Sequence, residues 1–103
     1  MPRDHLPQRR RSETFTIMWG NFPHVVTVGF YADGRVGECF VTGGKSGETL
    51  EAIARDGAVL LSLALQHGVD LATISHAITR DSQNNPSSVI GAVIDRLMEV
   101  EHG

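Results

Sequence analysis

The dipeptide Asp33-Gly34 constrains this chain more than any other feature. It stands between two runs rich in β-branched and aromatic residues. A two-residue type I′ turn needs positive φ at both central positions, which Asp tolerates and Gly prefers. A hairpin closed there places Ala32 opposite Arg35 and fixes every later pair. Val28 then faces Cys39, Val26 faces Val41 and Phe30 faces Gly37, all on one side, which gives a continuous apolar face. The other side pairs Tyr31 with Val36, Gly29 with Glu38, Thr27 with Phe40 and Val25 with Thr42. With Phe40, Tyr31 and two valines on it, this second face is either covered by another segment or forms an interface.

Ahead of the hairpin, residues 14–19 alternate, with Phe15, Ile17 and Trp19 on one side and Thr14 and Thr16 on the other, so they read as a strand. Gly20-Asn21-Phe22-Pro23 reads as the turn into a second strand over 24–32. From Gly47 to about His67 the period becomes helical. Leu50, Ile53, Ala54, Gly57, Leu61 and Leu65 share one stripe, and Glu48, Glu51, Arg55 and Gln66 avoid it. Ser46 suits the N-cap and Gly68 the C′ position. The stretch 58–65 is apolar nearly all round, which predicts the central, most enclosed helix. Gly57 in its interior costs about 1 kcal/mol relative to Ala, so close packing against a neighbour is expected there. Asp70 caps a short second helix with Leu71, Ile74, Ala77 and Ile78 inward. After a polar loop over 81–86, Ser87 or Ser88 opens a third helix with a stripe of Val89, Ile90, Val93, Ile94 and Leu97. The order predicts an α+β domain: a small antiparallel three-stranded β-sheet followed by three helices packed on it, βββααα.

The chain has 103 residues, enough for one domain over 13–101 behind a flexible basic arm over 1–12. A domain of this size is only marginally stabilised by burial, so a homo-oligomer is expected. The arm carries Arg3, Arg9, Arg10 and Arg11 against Asp4, a local +3. The whole chain carries −3, leaving −6 on the rest. Such an arm can reach the phosphates of nucleic acid or an acidic patch on a partner, or it is simply a solvated tail. The single cysteine excludes an internal disulfide and a Cys-based metal cluster within one chain, and is consistent with a reducing, cytoplasmic compartment. The N-terminus has no apolar leader region, and the longest apolar stretch, 57–65, is far too short to span a membrane.

Gly43-Gly44-Lys45-Ser46-Gly47-Glu48-Thr49 follows a strand and opens a helix, the right context for a phosphate loop. A Walker pattern needs glycine at position 39, which is Cys39, so a nucleoside triphosphatase is excluded. A weaker anion site built on Lys45, Ser46 and Gly47 survives, with a tight turn and a solvated lysine as the alternative. Arg80 with Ser87 and Ser88 could hold a second phosphate-like group. Equally, Arg80 could bond helix C-terminal carbonyls while a serine caps the next helix. The hairpin register buries Cys39 and makes it inert. His5, His24, His67, His76 and His102 lack metal-ligand spacing, and no metal site is expected. No residue is assigned a catalytic role.

The stretch Val28-Gly29-Phe30-Tyr31-Ala32-Asp33-Gly34-Arg35, followed by Glu38-Cys39-Phe40-Val41, Gly44-Lys45-Ser46-Gly47 and Ser62-Leu63-Ala64-Leu65-Gln66-His67-Gly68-Val69, resembles the TSCPD domain. That domain occurs at the C-terminus of adenosylcobalamin-dependent ribonucleotide reductases and as small stand-alone proteins. The resemblance runs over about 9–97, although the Thr-Ser-Cys-Pro-Asp signature that names the family is absent. It implies a stand-alone, non-catalytic module that binds a nucleotide, a phosphate or a partner as an accessory to a reductase, with a link to DNA replication. Adenosylcobalamin then enters by family association alone, with no cofactor bound by this chain. Ribonucleotide reduction needs a radical cysteine and a redox-active pair, and one cysteine cannot provide three. Two alternatives remain: a homodimeric nucleic-acid-binding protein using Arg9, Arg10 and Arg11, and a small enzyme with a site between Lys45 and Arg80.

Overall fold

The computed structural model describes residues 2–43 and 48–102, Glu48 and His102 by their backbone alone. β1 (Ser12–Trp19), β2 (Phe22–Phe30) and β3 (Val36–Gly43) form one antiparallel sheet in the order β1-β2-β3. α1 (Glu48–Gln66), α2 (Leu71–Ala77) and α3 (Val89–His102) follow, giving the expected βββααα arrangement. The first turn is tighter than the sequence suggests. Trp19 pairs with Phe22, so only Gly20-Asn21 lie between the strands, with Gly20 at φ 60°.

The hairpin over Asp33-Gly34 forms, but not as a type I′ turn. From His24↔Gly43 to Gly29↔Glu38 the pairing is the expected one, and beyond Gly29 the register shifts so that Phe30 faces Val36 instead of Gly37. Gly34 N–H donates to Tyr31 O (3.0 Å), and Tyr31, not Ala32, meets Arg35, donating its N–H to Arg35 O (2.9 Å). The loop therefore holds three residues, Ala32-Asp33-Gly34. Asp33 keeps a negative φ, since Asn84 is the one non-glycine with positive φ among the described residues. Its Oδ1 accepts from Arg35 N–H at 3.0 Å, and Gly34 alone takes the left-handed position at φ 93°. Gly37 is the extra residue on β3, a bulge that restores the register further on.

One sheet face carries the core. Val26, Val28 and Phe30 of β2 and Cys39 and Val41 of β3 are buried against Ala54, Ala58, Leu61 and Leu65 of α1 and Val89, Val93, Ile94 and Leu97 of α3. Phe15, Ile17 and Trp19 pack at its margin, as their alternation implies. α1 ends in a Schellman motif: Gly68 at φ 91° donates to Leu65 O (3.1 Å) and Val69 N–H to Ala64 O (3.0 Å). Asp70 precedes α2 without a side-chain capping bond, whereas Ser88 Oγ caps α3 by accepting Gly91 N–H at 3.0 Å.

α1 is not the enclosed central helix its composition suggests. It lies along β3 at the sheet edge, and close packing against α3 is confined to one side, where a Cβ on Gly57 would stand 3.1 Å from Ile90 Cγ1. The remaining surface is open: Ile53, placed inward by periodicity, is 60% exposed, Leu60 is 68% exposed, and Val59 and Leu63 are also exposed. Gln66, expected to face water, is buried. An apolar circumference therefore signals an uncovered surface on this helix, and two helix flanks with different partners blur the single stripe.

Candidate functional site

β3 is an edge strand, and its outward peptide groups need partners. α1 supplies them from two side chains one turn apart. Ser62 Oγ accepts Cys39 N–H at 2.9 Å and lies 3.2 Å from Cys39 O and 2.8 Å from Ala58 O, either of which can take its proton. Gln66 Nε2 donates to Gly37 O at 3.0 Å. Above these contacts the strand and helix diverge into a groove of about 330 Å³, walled by Phe40 and Val41 on one side and Ala58, Val59 and Leu63 on the other. Phe40 belongs to the outer sheet face and remains 54% exposed. Two charges around the groove are paired within the chain, Glu38 to Arg10 Nε at 2.5 Å and Arg55 to Glu51 at 2.6 Å, while Arg3 Nε donates to the neutral Gln66 Oε1 at 2.6 Å.

The sequence-predicted polar residues are described only in part. Lys45, Ser46 and Gly47 lie outside the described residues, so a site between Lys45 and Arg80 has no described geometry. Arg80 is engaged internally. Its Nη1 and Nη2 form a two-pronged pair with Asp95 Oδ2 (2.9 Å) and Oδ1 (2.7 Å), and they also donate to Asn84 O and to Ser75 O near the end of α2. Ser88 caps α3, and exposed Ser87 donates its N–H to Thr79 O. The arm lies along the hairpin: Asp4 N–H donates to Gln66 O (2.7 Å), Asp4 O accepts from Tyr31 Oη (2.5 Å), and Leu6 sits over Gly37. Of its arginines, Arg9 is exposed, Arg10 holds Glu38, and Arg11 stacks 4.0 Å over the Phe30 ring and pairs with Glu13.

The Arg80 pair has a pH consequence. Its hydrogen bonds hold the Asp95 carboxyl below the usual carboxylate range. A depressed carboxylate stabilises the fold above its unfolded pKa of about 3.9, and that stability is lost as pH falls through the lower folded value. Asp95→Asn is expected to lower Tm at neutral pH and to flatten its decline as pH falls into and below the ordinary carboxylate range. Thermal melts across that range check both; a wild-type slope kept by the variant would remove Asp95 from acid denaturation.

Cys39 is buried as expected, and desolvation pushes its thiol up to about 12 despite the Ser62 hydrogen bond that opposes the shift. Among the described residues no three His, Cys, Asp or Glu side chains gather as a metal site, and no helix is long and apolar enough to cross a membrane. His24, by contrast, was not singled out by spacing. It is fully buried in β2, and both ring nitrogens lack a hydrogen-bond partner. The groove was also missed, although two signals for it were in the sequence: Phe40 on the outer sheet face and the all-round apolar stretch 58–65.

The family model of the TSCPD domain matches residues 2–101. The chain belongs to the TSCPD domain family. Its TSCPD region is 39% identical over 72 residues to the vitamin B12-dependent ribonucleotide reductase of Rhodopirellula baltica, covering 70% of this chain and 7% of that protein. It is 35% identical over 77 residues to the enzyme of the same name from Agrobacterium fabrum, covering 75% of this chain and 6% of that one. The TSCPD chain thus spans less than a tenth of the length of these relatives. No solved structure matches it significantly.

Proposed function

We propose that this TSCPD chain is a non-catalytic docking module that binds a protein through the groove between β3 and α1. One observation carries this reading: the groove exposes the apolar side chains of Phe40, Val59 and Leu63, while Glu38 and Arg55 beside it are paired inside the chain. An exposed apolar cleft with few uncompensated charges fits a protein surface better than a phosphate. Two of the described polar candidates for a phosphate, Arg80 and Ser88, support the same choice because they are committed to internal bonds. The lone thiol, buried and held protonated, is unsuited to radical or redox chemistry. Reductase chemistry and adenosylcobalamin therefore belong, in this reading, to a partner enzyme.

The names of the relatives make a vitamin B12-dependent ribonucleotide reductase the first partner to test. Calorimetric titration of the purified chain into the purified reductase, with turnover followed in parallel, is expected to show saturable binding. Phe40→Lys should weaken that binding more than tenfold, since an aromatic anchor is worth about 2 kcal/mol or more. No heat of binding and unchanged turnover at saturating chain would sink the proposal.

A further inference from the structure

We infer that the open edge of β1 pairs antiparallel with β1 of a second copy of this chain, about a two-fold axis at Phe15. This edge lies across the sheet from the β3/α1 groove, so the pairing leaves that groove free and does not rest on the docking reading. The demand comes from the backbone. Phe30 N–H donates to Arg11 O at 3.0 Å, in step with the β1/β2 register, so Glu13, Phe15, Ile17 and Trp19 turn their peptide groups toward β2. Ser12, Thr14, Thr16 and Met18 turn theirs away, and no described residue bonds to those outward groups. The other edge is served within the chain, where Ser62 and Gln66 reach Cys39 and Gly37. β1 has no such cover, and no proline, lysine or bulge interrupts it. An edge of this kind is a template for another strand.

Register and charge select a second β1 as that strand. Outward groups must meet outward groups, which leaves only every second alignment. An axis at Phe15 sets Ser12 opposite Met18 and Thr14 opposite Thr16, so all four outward residues of both copies find partners. An axis at Thr16 would set Ser12 against Gly20, in the turn at φ 60°, and one at Thr14 would set Met18 against Arg10, before the strand begins. In the Phe15 alignment the copy's Glu13 falls opposite Ile17 and diagonal to Phe15, and the Arg96 guanidinium stands 5.0 Å over that Phe15 ring. The acid of each copy therefore meets the base of the other, twice per dimer. Within one chain each has an exposed partner at longer range: Arg11 at 3.3 Å from Glu13, and Glu99 at 3.9 Å from Arg96. Asp95, the other acid of the shallow groove beside β1, is held by Arg80.

Sedimentation velocity on the full chain, from low to several hundred micromolar, tests this, with amide hydrogen exchange followed by NMR at both ends of the range. The concentrated wild type is expected at about twice the chain mass, with slowed exchange at the amides of Ser12, Thr14, Thr16 and Met18. Thr16→Pro removes one outward N–H and leaves the β1/β2 ladder intact, so it should give a folded monomer. Glu13→Arg and Arg96→Glu should each weaken the dimer by about tenfold or more, and the two together should restore it. A wild type that stays monomeric, a dimer that survives Thr16→Pro, or a double reversal no tighter than the single ones overturns the inference. Amides of β1 that slow only when the reductase is added give the edge to a strand of that enzyme and overturn the second copy. A dimer with all these properties and no affinity for the reductase supports the inference and removes the docking reading alone.

Discussion

Phe30→Ala is expected to destabilise the domain by about 3–5 kcal/mol, the usual cost of truncating a buried aromatic. Phe30 is 1% exposed and sits at the end of β2, where it faces Val36 across the bulge and lies beneath the Arg11 guanidinium. Its surroundings cannot collapse into the space it leaves. β2 is the central strand, paired on both sides, and a shift of its backbone would break hydrogen bonds to β1 and β3 together. The stability of a domain this small lies in the range of about 5–15 kcal/mol, so the loss is a large fraction of the total. At ~4–8 °C per kcal/mol for a domain of nearly this size, Tm should fall by well over ten degrees. Urea titration of both proteins gives the number. A loss under about 1 kcal/mol would mean that Phe30 does not fill the space described, because even modest buried truncations exceed that. The same substitution at Phe40, on the open sheet face, should stay near neutral; contrast between two phenylalanines ten residues apart separates core from surface.

The sheet was legible in the sequence because strand period and side-chain chemistry agree at nearly every position. Phe15, Ile17, Val26, Val28, Cys39 and Val41 all point where their alternation puts them. The register from His24 to Gly29 was also correct, through two errors that cancel. A two-residue loop and a three-residue loop followed by one bulged residue on β3 leave the same distant pairs in contact. Asp33-Gly34 fixed where the chain reverses, and the three-residue loop carries an Asx turn, Asp33 Oδ1 accepting from Arg35 N–H, a local preference of aspartate that competes with the two-residue turn.

The helices were less legible because their environment is unequal around the axis. α1 meets the sheet with Ala54, Ala58, Leu61 and Leu65, α3 with Gly57, and the β3 edge with Ser62 and Gln66. Periodicity divides residues into inside and outside and has no class for a buried glutamine serving a strand edge. Arg80 was ambiguous for a similar reason. A guanidinium beside a polar loop and a helix end reads equally as a phosphate ligand or as an internal clamp, and its partner Asp95 lies fifteen residues away on another helix. Only the spatial arrangement decides.

His24→Leu is expected to raise stability by about 1–3 kcal/mol, the desolvation cost of a buried polar group left without a partner. The imidazole is wholly buried in β2, opposite Ile17 on one neighbouring strand and Gly43 on the other, and shares the core face with Val26 and Val28. Neither Nδ1 nor Nε2 has a hydrogen-bond partner. Leucine keeps roughly the same bulk without the polar nitrogens, so the cavity and overpacking costs that usually offset such changes are small. Most core substitutions destabilise, which makes a gain at a fully buried position informative. The gain should appear as a higher urea midpoint at unchanged slope, since the surface exposed on unfolding hardly changes. If the variant is instead less stable than wild type, the imidazole nitrogens are satisfied in solution and His24 is held by a partner. In that event the stability of wild type, but not of His24→Leu, should respond to the ligand that provides it, because a bound ligand stabilises only the chain that binds it.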